Sequence, residues 1–490
     1  MRREPITGLA KLTDRFTADN MQGNVIIVLD CGATNVRAVA VNLNGKIVAM
    51  HSVPNKAKAD PFYPPGLIWD IEEIWQKFAL CTRSVISQIS KSDVAALVVT
   101  TFGVNGAPVA ENGDLLYPVI SWQCQRTVPI MENIDKYISL ERLYAICGVN
   151  NFNFNTINVL IWLKENHPEV LDRMHAFLFI PSIFVNRLTG NMINDYTMAG
   201  TSMLMDIGQR TLSTEILEAI DVPNKFADLA DAGTVTGELT TKAAKEFGLA
   251  PGIPVILAGH DTQFALIGSG AGENEAVLSS GTWEILMTRT RNLDLDFDQL
   301  KAGVTNELDA VPGLYNTGIQ WLASGVLEWI KSNFYTRELA SDPKQVYDMM
   351  IQEAVAVSPN STTLSIIPDF ATNGGSISGL GMHTSRGEIY RAALEALAEK
   401  TRQGLNFLQE IGQFKADSLI IVGGGAKNQL WNQIRANTLG IPLKLAQQSE
   451  TTVLGAAAFA LTALGMYQRL DDAVNTISSH YDYIYPNNKT

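Results

Sequence analysis

One strand plan occurs twice in this chain. An apolar run, VIIVLD from Val25, ends in the polar turn Asp30-Cys31-Gly32-Ala33-Thr34-Asn35 and returns as VRAVAV. Near residue 280, AVLSS turns through Gly281-Thr282 and returns as WEILMTRT. A buried strand, a glycine- and threonine-bearing turn and a returning strand, met again about 250 residues later, predict two related halves, each built around its own sheet. The 490 residues exceed what one hydrophobic core holds together and suit two large domains.

Local signals fill in each half. Asn44-Gly45 between alternating apolar residues predicts a hairpin. Asp70, with Glu73 three positions on, opens the helical pattern IWDIEEIWQKFALCTRSVISQI, and the strand AALVVTTFGV follows. Residues 130–250 alternate helical patterns with loops and are expected to elaborate the first half. The strand PVILA then ends in Gly259-His260-Asp261, and SLIIV runs into Gly423-Gly424-Gly425-Ala426-Lys427-Asn428 before another helix. SGAGEN, at about Gly268–Gly272, is the most linker-like stretch. The expected division is an extension at 1–22, an N-terminal domain at 23–268, a C-terminal domain at 269–470 and a tail at 471–490.

A net charge of −13 opposes binding to nucleic acid or anionic lipid, so neither a nucleic acid nor a membrane is expected as partner. The four scattered cysteines (Cys31, Cys81, Cys124, Cys147) show neither disulfide nor zinc spacing, and the cytoplasm is the expected compartment. The first twenty residues lack the apolar run of a signal peptide, and no stretch has the length of a membrane span.

Three loops carry the ingredients of a phosphate site. Glycine lets backbone N–H groups approach phosphate oxygens, a threonine adds a hydroxyl, and a carboxylate at a strand end holds Mg²⁺ through water. The turns at Asp30–Asn35 and Ser279–Thr282 have this make-up, and the triglycine run lies between a strand and a helix, where free N–H groups suit a nucleotide. Each also reads as an ordinary tight turn. Asp261 follows an apolar strand, with Gly259 leaving room beside it, as a general base for a hydroxyl would need; alone it reads first as the cap of the helix that starts at Thr262.

Taken in order, D-x-G-x-T at Asp30, W-x-x-x-R from Trp122 to Arg126, GHD at 259–261, SGT at 280–282 and GGGAKN at 423–428 resemble the FGGY family of carbohydrate kinases over nearly the whole chain. The longer strings DCGATNVR, TTFGV, SWQCQRT, MAGTSM, GHDTQFA, LSSGTWEILM, QWLASGVLEW and LWNQI are most similar to its L-fuculokinase branch. The resemblance implies an α/β, actin-like ATPase fold of two ribonuclease-H-like domains with an interdomain cleft, and ATP-dependent phosphorylation of a ketose, L-fuculose first, at O1. It implies ATP and Mg²⁺ as cofactors and a small-molecule sugar as substrate, and leaves a homodimer open.

Carried over residue by residue, the resemblance makes Asp261 the base and Asp30 the residue that orders Mg²⁺. It sets Thr34, Asn35 and Arg37 against the outer phosphates, Gly281 and Thr282 at the transferring phosphate, and Ser324 and Gly325 along the phosphate channel. Gly424, Gly425 and Asn428 border the adenosine, and Gly103, Asn105, His260 and Asp261 face the sugar. The branch usually carries Asp and Lys where this chain has Asn105 and Val159. The pair either shifts substrate choice or replaces a structural ion pair. Kinases for L-rhamnulose or a pentulose such as D-ribulose, an actin-like ATPase and a non-catalytic sugar or nucleotide sensor are the competing readings. An intact Asp261 argues against the last two.

Overall fold

In β1 (Val25–Cys31) and β4 (Val94–Thr101) every residue is buried, as expected of strands covered on both faces. They are the two central strands of a sheet completed by β2 (Asn35–Asn42), β3 (Ile47–Pro54), β5 (Val235–Glu238) and β6 (Pro254–His260). Its strand order is β3-β2-β1-β4-β6-β5. The structure is a computed structural model and describes residues 23–358, 363–372, 374–448, 450–478 and 480–487. The expected extension at 1–22 lies outside the described residues.

The chain divides into two units. The first takes residues up to Gly270 together with Asp294–Tyr315 and Glu450–Ser479, and the second takes Ala271–Leu293, Asn316–Ser449 and His480–Thr490. In the first unit, helix Ile71–Ile86 is capped by the Asp70 side chain, which accepts from Glu73 N, and covers β2 and β3. The opposite side of the sheet is covered by helix Thr451–Ala463, from near the end of the chain. Val453, Leu454, Phe459 and Leu461 pack there with Ile26, Val28, Val98 and Ile256.

That helix also lies directly on helix Asp261–Gly268. Two glycines make this approach possible. A methyl group at Gly268 would sit 1.8 Å from the carbonyl oxygen of Thr451, and one at Gly455 would sit 2.0 Å from that of Phe264.

The second unit carries β7 (Ala276–Ser280), β8 (Trp283–Thr290), β9 (Tyr315–Leu322), β10 (Leu419–Val422), β11 (Leu443–Ala446) and β12 (Tyr481–Ile484). They run in the order β9-β8-β7-β10-β11-β12. Helix Arg386–Gly412, opened by a Ser385/Glu388 capping box, packs on β8 and on helix Gln429–Leu439.

Reading outward from the first strand, the two sheets correspond. β1 pairs antiparallel with β2 and parallel with β4; β7 pairs antiparallel with β8 and parallel with β10. β4 and β6 are parallel, as are β10 and β11. The next strand in each sheet, β5 or β12, is antiparallel to its neighbour. The repeat seen in sequence as two turns therefore extends to the directions of five paired strands in each sheet, although β5 precedes its neighbour β6 in the chain whereas β12 follows β11. Among the described residues no helix is long and apolar enough to cross a membrane.

Candidate active site

In the first unit the turn after β1 closes with Gly32 N donating to Asn35 O at 2.8 Å, and Asn55 braces it through Gly32 O and Thr34 O. Thr34 and Asn35 are left exposed at the tip. Asp30 is the register partner of Arg37 across β1 and β2, and Arg37 Nε donates to its carboxylate at 2.6 Å. A second arm of Arg37 binds Glu450, the residue before helix Thr451–Ala463. Burial pushes the Asp30 pKa up, opposed by Arg37, while the charge of Glu450 adds to the rise.

Asp261 opens its helix at the end of β6. The helix starts at Asp261 itself, with His260 in the cap position and no side-chain cap bond, so the expected start at Thr262 with Asp261 as its cap is off by one residue; Asp261 Oδ1 accepts from Thr262 N at 2.7 Å. Burial and the negative charge of Asp30 push this carboxyl up to about 7, far above an ordinary aspartate. His260 Nε2 lies 3.4 Å from Asp261 Oδ1, and burial holds the imidazole near a pKa of about 4, neutral at physiological pH. Gly103 is what admits the ring: a methyl group there would meet His260 Nε2 at 2.5 Å. The space beside Gly259 is filled by protein, since a methyl group there would meet Asp195 Oδ1 at 2.1 Å and Thr197 Oγ1 at 2.3 Å. Thr197 accepts from His260 N at 2.9 Å and so fixes the start of the GHD segment.

Asn105 is buried, and its side chain faces aromatic neighbours. Oδ1 accepts from Trp69 Nε1 at 2.8 Å and from Trp122 N at 3.1 Å, which ties the loop after β4 to the W-x-x-x-R segment. Its Nδ2 is buried without a hydrogen-bond partner. Val104, immediately before it, has φ 62°, a strained conformation for a β-branched residue. Val159 is buried within helix Thr156–Asn166. Arg126 is fully enclosed, bound to Asp60 at 2.6 Å and flanked by the Tyr63 and Trp162 rings, so its part in the motif is architectural.

The second unit repeats the turn. Gly281 N donates to Trp283 O at 3.2 Å, and Thr282 stands exposed. The N–H groups of Ser324 and Gly325 are occupied by Gly281 O and Thr282 O, each at 3.2 Å, so the start of helix Ser324–Phe334 is stitched to the turn. Gly425 presses against Ser280, where a methyl group would meet Oγ at 1.9 Å; Gly424 has open space around it. Asn428 caps helix Gln429–Leu439 by accepting from Trp431 N, and its Nδ2 donates to Tyr390 Oη at 3.1 Å. The candidate residues thus gather in one group within each unit.

Comparison with known proteins bears directly on this arrangement. Residues 25–268 match the N-terminal domain of the FGGY family of carbohydrate kinases, and residues 276–464 match its C-terminal domain. The chain belongs to the FGGY family of carbohydrate kinases. Among its relatives, L-fuculokinase of Escherichia coli strain K12 is 49% identical over 469 residues, covering 95% of this chain and 98% of that protein. L-fuculokinase of Haemophilus influenzae is 43% identical over 471 residues, covering 94% and 100%. The crystal structure of xylulose kinase from Rhodospirillum rubrum superposes with a TM-score of 0.85 at 21% identity, covering 95% of this chain and 94% of that one, a likeness of fold.

Within this FGGY kinase two acidic residues near the site escaped sequence reasoning. Glu450 reaches Arg37 across 413 positions of sequence. Glu307 comes from the Asp294–Tyr315 segment and accepts from Gln263 Nε2, with its Oε2 3.9 Å from His260 Nδ1. Neither belongs to a local motif; the signal that could have found Glu450 is the small-residue helix behind it, whose Gly455 and run of alanines imply close docking. No group of three His, Cys, Asp or Glu side chains suited to a metal ion occurs among the described residues of this FGGY kinase. Mg²⁺ that arrives with a nucleotide needs only one or two carboxylates, and the mutual repulsion that raises Asp261 beside Asp30 is what a divalent cation relieves.

Proposed function

We propose that this kinase transfers the γ-phosphoryl group of ATP to O1 of L-fuculose, with Asp261 as general base. The observation that carries the chemistry is the Asp261 carboxyl at the end of β6, held through Oδ1 by Thr262 N–H and buried near the negative charge of Asp30, which pushes it up to about 7. A base with that pKa is ionised in a useful fraction at neutral pH and is strong enough to take a proton from a hydroxyl as it attacks phosphorus. L-Fuculose is chosen over other ketoses because the near full-length relatives at 43–49% identity carry the name L-fuculokinase.

In this reading Asp261 Oδ2 accepts the O1 proton while Thr262 N–H holds Oδ1. Neutral His260, seated on Gly103, orients a sugar hydroxyl, and Asn105 positions the sugar wall through Trp122. Thr34, Asn35 and Arg37 meet the outer phosphates in the first unit; Gly281, Thr282, Ser324, Gly325, Gly424, Gly425 and Asn428 serve the nucleotide in the second. Because the Ser324 and Gly325 amides are already bonded, the phosphate donors we assign there are the Ser324 and Thr282 hydroxyls. Asp30 would hold Mg²⁺ through water, and the bound ion would neutralise polyphosphate charge. The buried, unpaired state of all four cysteines fits a reducing cytoplasm.

ADP release with Mg·ATP across L-fuculose, L-rhamnulose, D-ribulose, L-ribulose, D-xylulose and glycerol tests the assignment. The expected result is a preference for L-fuculose of at least about tenfold in kcat/KM. Preference for another ketose would reassign the substrate and mark Asn105 and Val159 as the changes that moved it.

A further inference from the structure

Behind the second unit's glycine turns lies an ion pair removed from water on both sides. The Glu284 and Arg435 side chains are 0% exposed and bonded to each other. Glu284 Oε1 also accepts from Ser280 Oγ at 2.7 Å, and its Oε2 accepts from Trp321 Nε1 at 3.0 Å. Arg435 Cζ sits over the Trp431 ring, 3.5 Å from its centre, and the side chain donates through Nη2 to Ser280 Oγ at 3.3 Å and through Nη1 to Asn432 Oδ1 at 3.2 Å. Asn432 Nδ2 in turn donates to Ala426 O at 2.8 Å, inside the glycine loop. Buried ion pairs return little net stability, because desolvation consumes most of the attraction. What this one does contribute is connection.

Three segments meet on it. Ser280 is the last residue before the Gly281-Thr282 turn, Trp321 is one residue from the end of β9 and just before the Ser324 helix, and Ala426 belongs to the triglycine loop. Ser280 further touches Gly425 and Gly423 at distances only glycine tolerates. We infer that Glu284 and Arg435 are positioning residues for the nucleotide: one buried pair fixes the turn, the helix start and the glycine loop in a single register. The inference rests on the assignment of the nucleotide to this unit. Neither residue touches the ligand, and both act through Ser280, Trp321 and Asn432.

The test separates positioning from mere stability. Arg435→Met leaves a lone buried carboxylate and is expected to lower the Tm and to weaken ADP binding by about tenfold or more. Glu284→Gln/Arg435→Met removes both charges, keeps an acceptor oxygen for Trp321 Nε1 while the new amide N–H donates to Ser280 Oγ, and places an apolar chain on Trp431; the Tm is expected to return most of the way to wild type. If the pair positions the nucleotide, the double variant still shows KM for Mg·ATP and calorimetric Kd for ADP raised about fivefold or more, with KM for the sugar within about twofold. A double variant of wild-type Tm with wild-type ADP affinity would overturn the inference, as would equal changes in both KM values. ADP calorimetry reads this result even if no ketose proves to be a substrate, so failure of the assigned activity is scored separately.

Discussion

Asp261 carries a cost that its neighbours explain. Its folded-state pKa of about 7 exceeds the ordinary value of 3.8, because burial and Asp30 disfavour its charge. The folded protein therefore binds a proton more tightly than the unfolded chain, and the stability this group contributes at low pH is lost as pH rises from about 4 to about 7. Asp261→Asn should abolish sugar phosphorylation, by about 10³-fold or more, and leave ADP affinity near wild type. The same variant should be more stable than wild type by about 1–3 kcal/mol at pH 8, with the difference vanishing near pH 4 in denaturant titrations. In the wild type without Mg²⁺ or nucleotide, the Asp261 carboxyl should titrate by ¹³C NMR with a one-proton limb near pH 7, and Asp30→Asn should move that limb to lower pH. A limb unmoved in Asp30→Asn would remove Asp30 from the account of the base. The GHD and D-x-G-x-T residues were legible because strand ends and glycine turns are local. Glu307, Glu450, Asp195 and Thr197 were not, because each reaches the site through tertiary packing.

At the scale of elements, the contact that organises the first unit is the glycine-mediated crossing of helices Asp261–Gly268 and Thr451–Ala463. It delivers Glu450 to Arg37 and places Thr452 Oγ1 against the Asp261 carbonyl at 3.4 Å. Gly268→Ala or Gly455→Ala must push the helices apart, since the added carbon would fall within about 2 Å of a backbone carbonyl. Each is expected to destabilise by about 2–4 kcal/mol in urea titrations and to lower kcat, and a variant of unchanged stability would refute the packing described. The helices themselves were legible through composition and, at Asp70, capping; Ser385 and Asn428 also cap, which their residue types allow but the sequence reading did not assign. It also pointed to the hairpins at Asn44-Gly45 and Gly281-Thr282. What composition could not show is which glycines serve a ligand and which serve packing. Gly103, Gly259, Gly268, Gly425 and Gly455 all prove to admit protein atoms.

At the scale of the molecule, the duplicated turn announced a duplicated strand arrangement, and the pairing directions around β1 and β7 agree with it. Less legible was the path of the chain, because segments 294–315 and 450–479 return to the first unit after the second has begun. Sequence patterns are read along the chain, whereas a core closes in space. Residues 23–270 alone lack Val453, Leu454, Phe459 and Leu461, which cover one face of the sheet, so that fragment is expected to be insoluble or molten by near-UV circular dichroism. A cooperatively folded fragment would contradict this division. The central claim, phosphoryl transfer to a sugar with Asp261 as base, is tested most directly by ³¹P NMR of wild-type and Asp261→Asn protein given Mg·ATP and L-fuculose. The account predicts a new phosphomonoester resonance split by the two protons of C1 in the wild type, and none in the variant. Inorganic phosphate as the only product, or the same ester from both proteins, would contradict it.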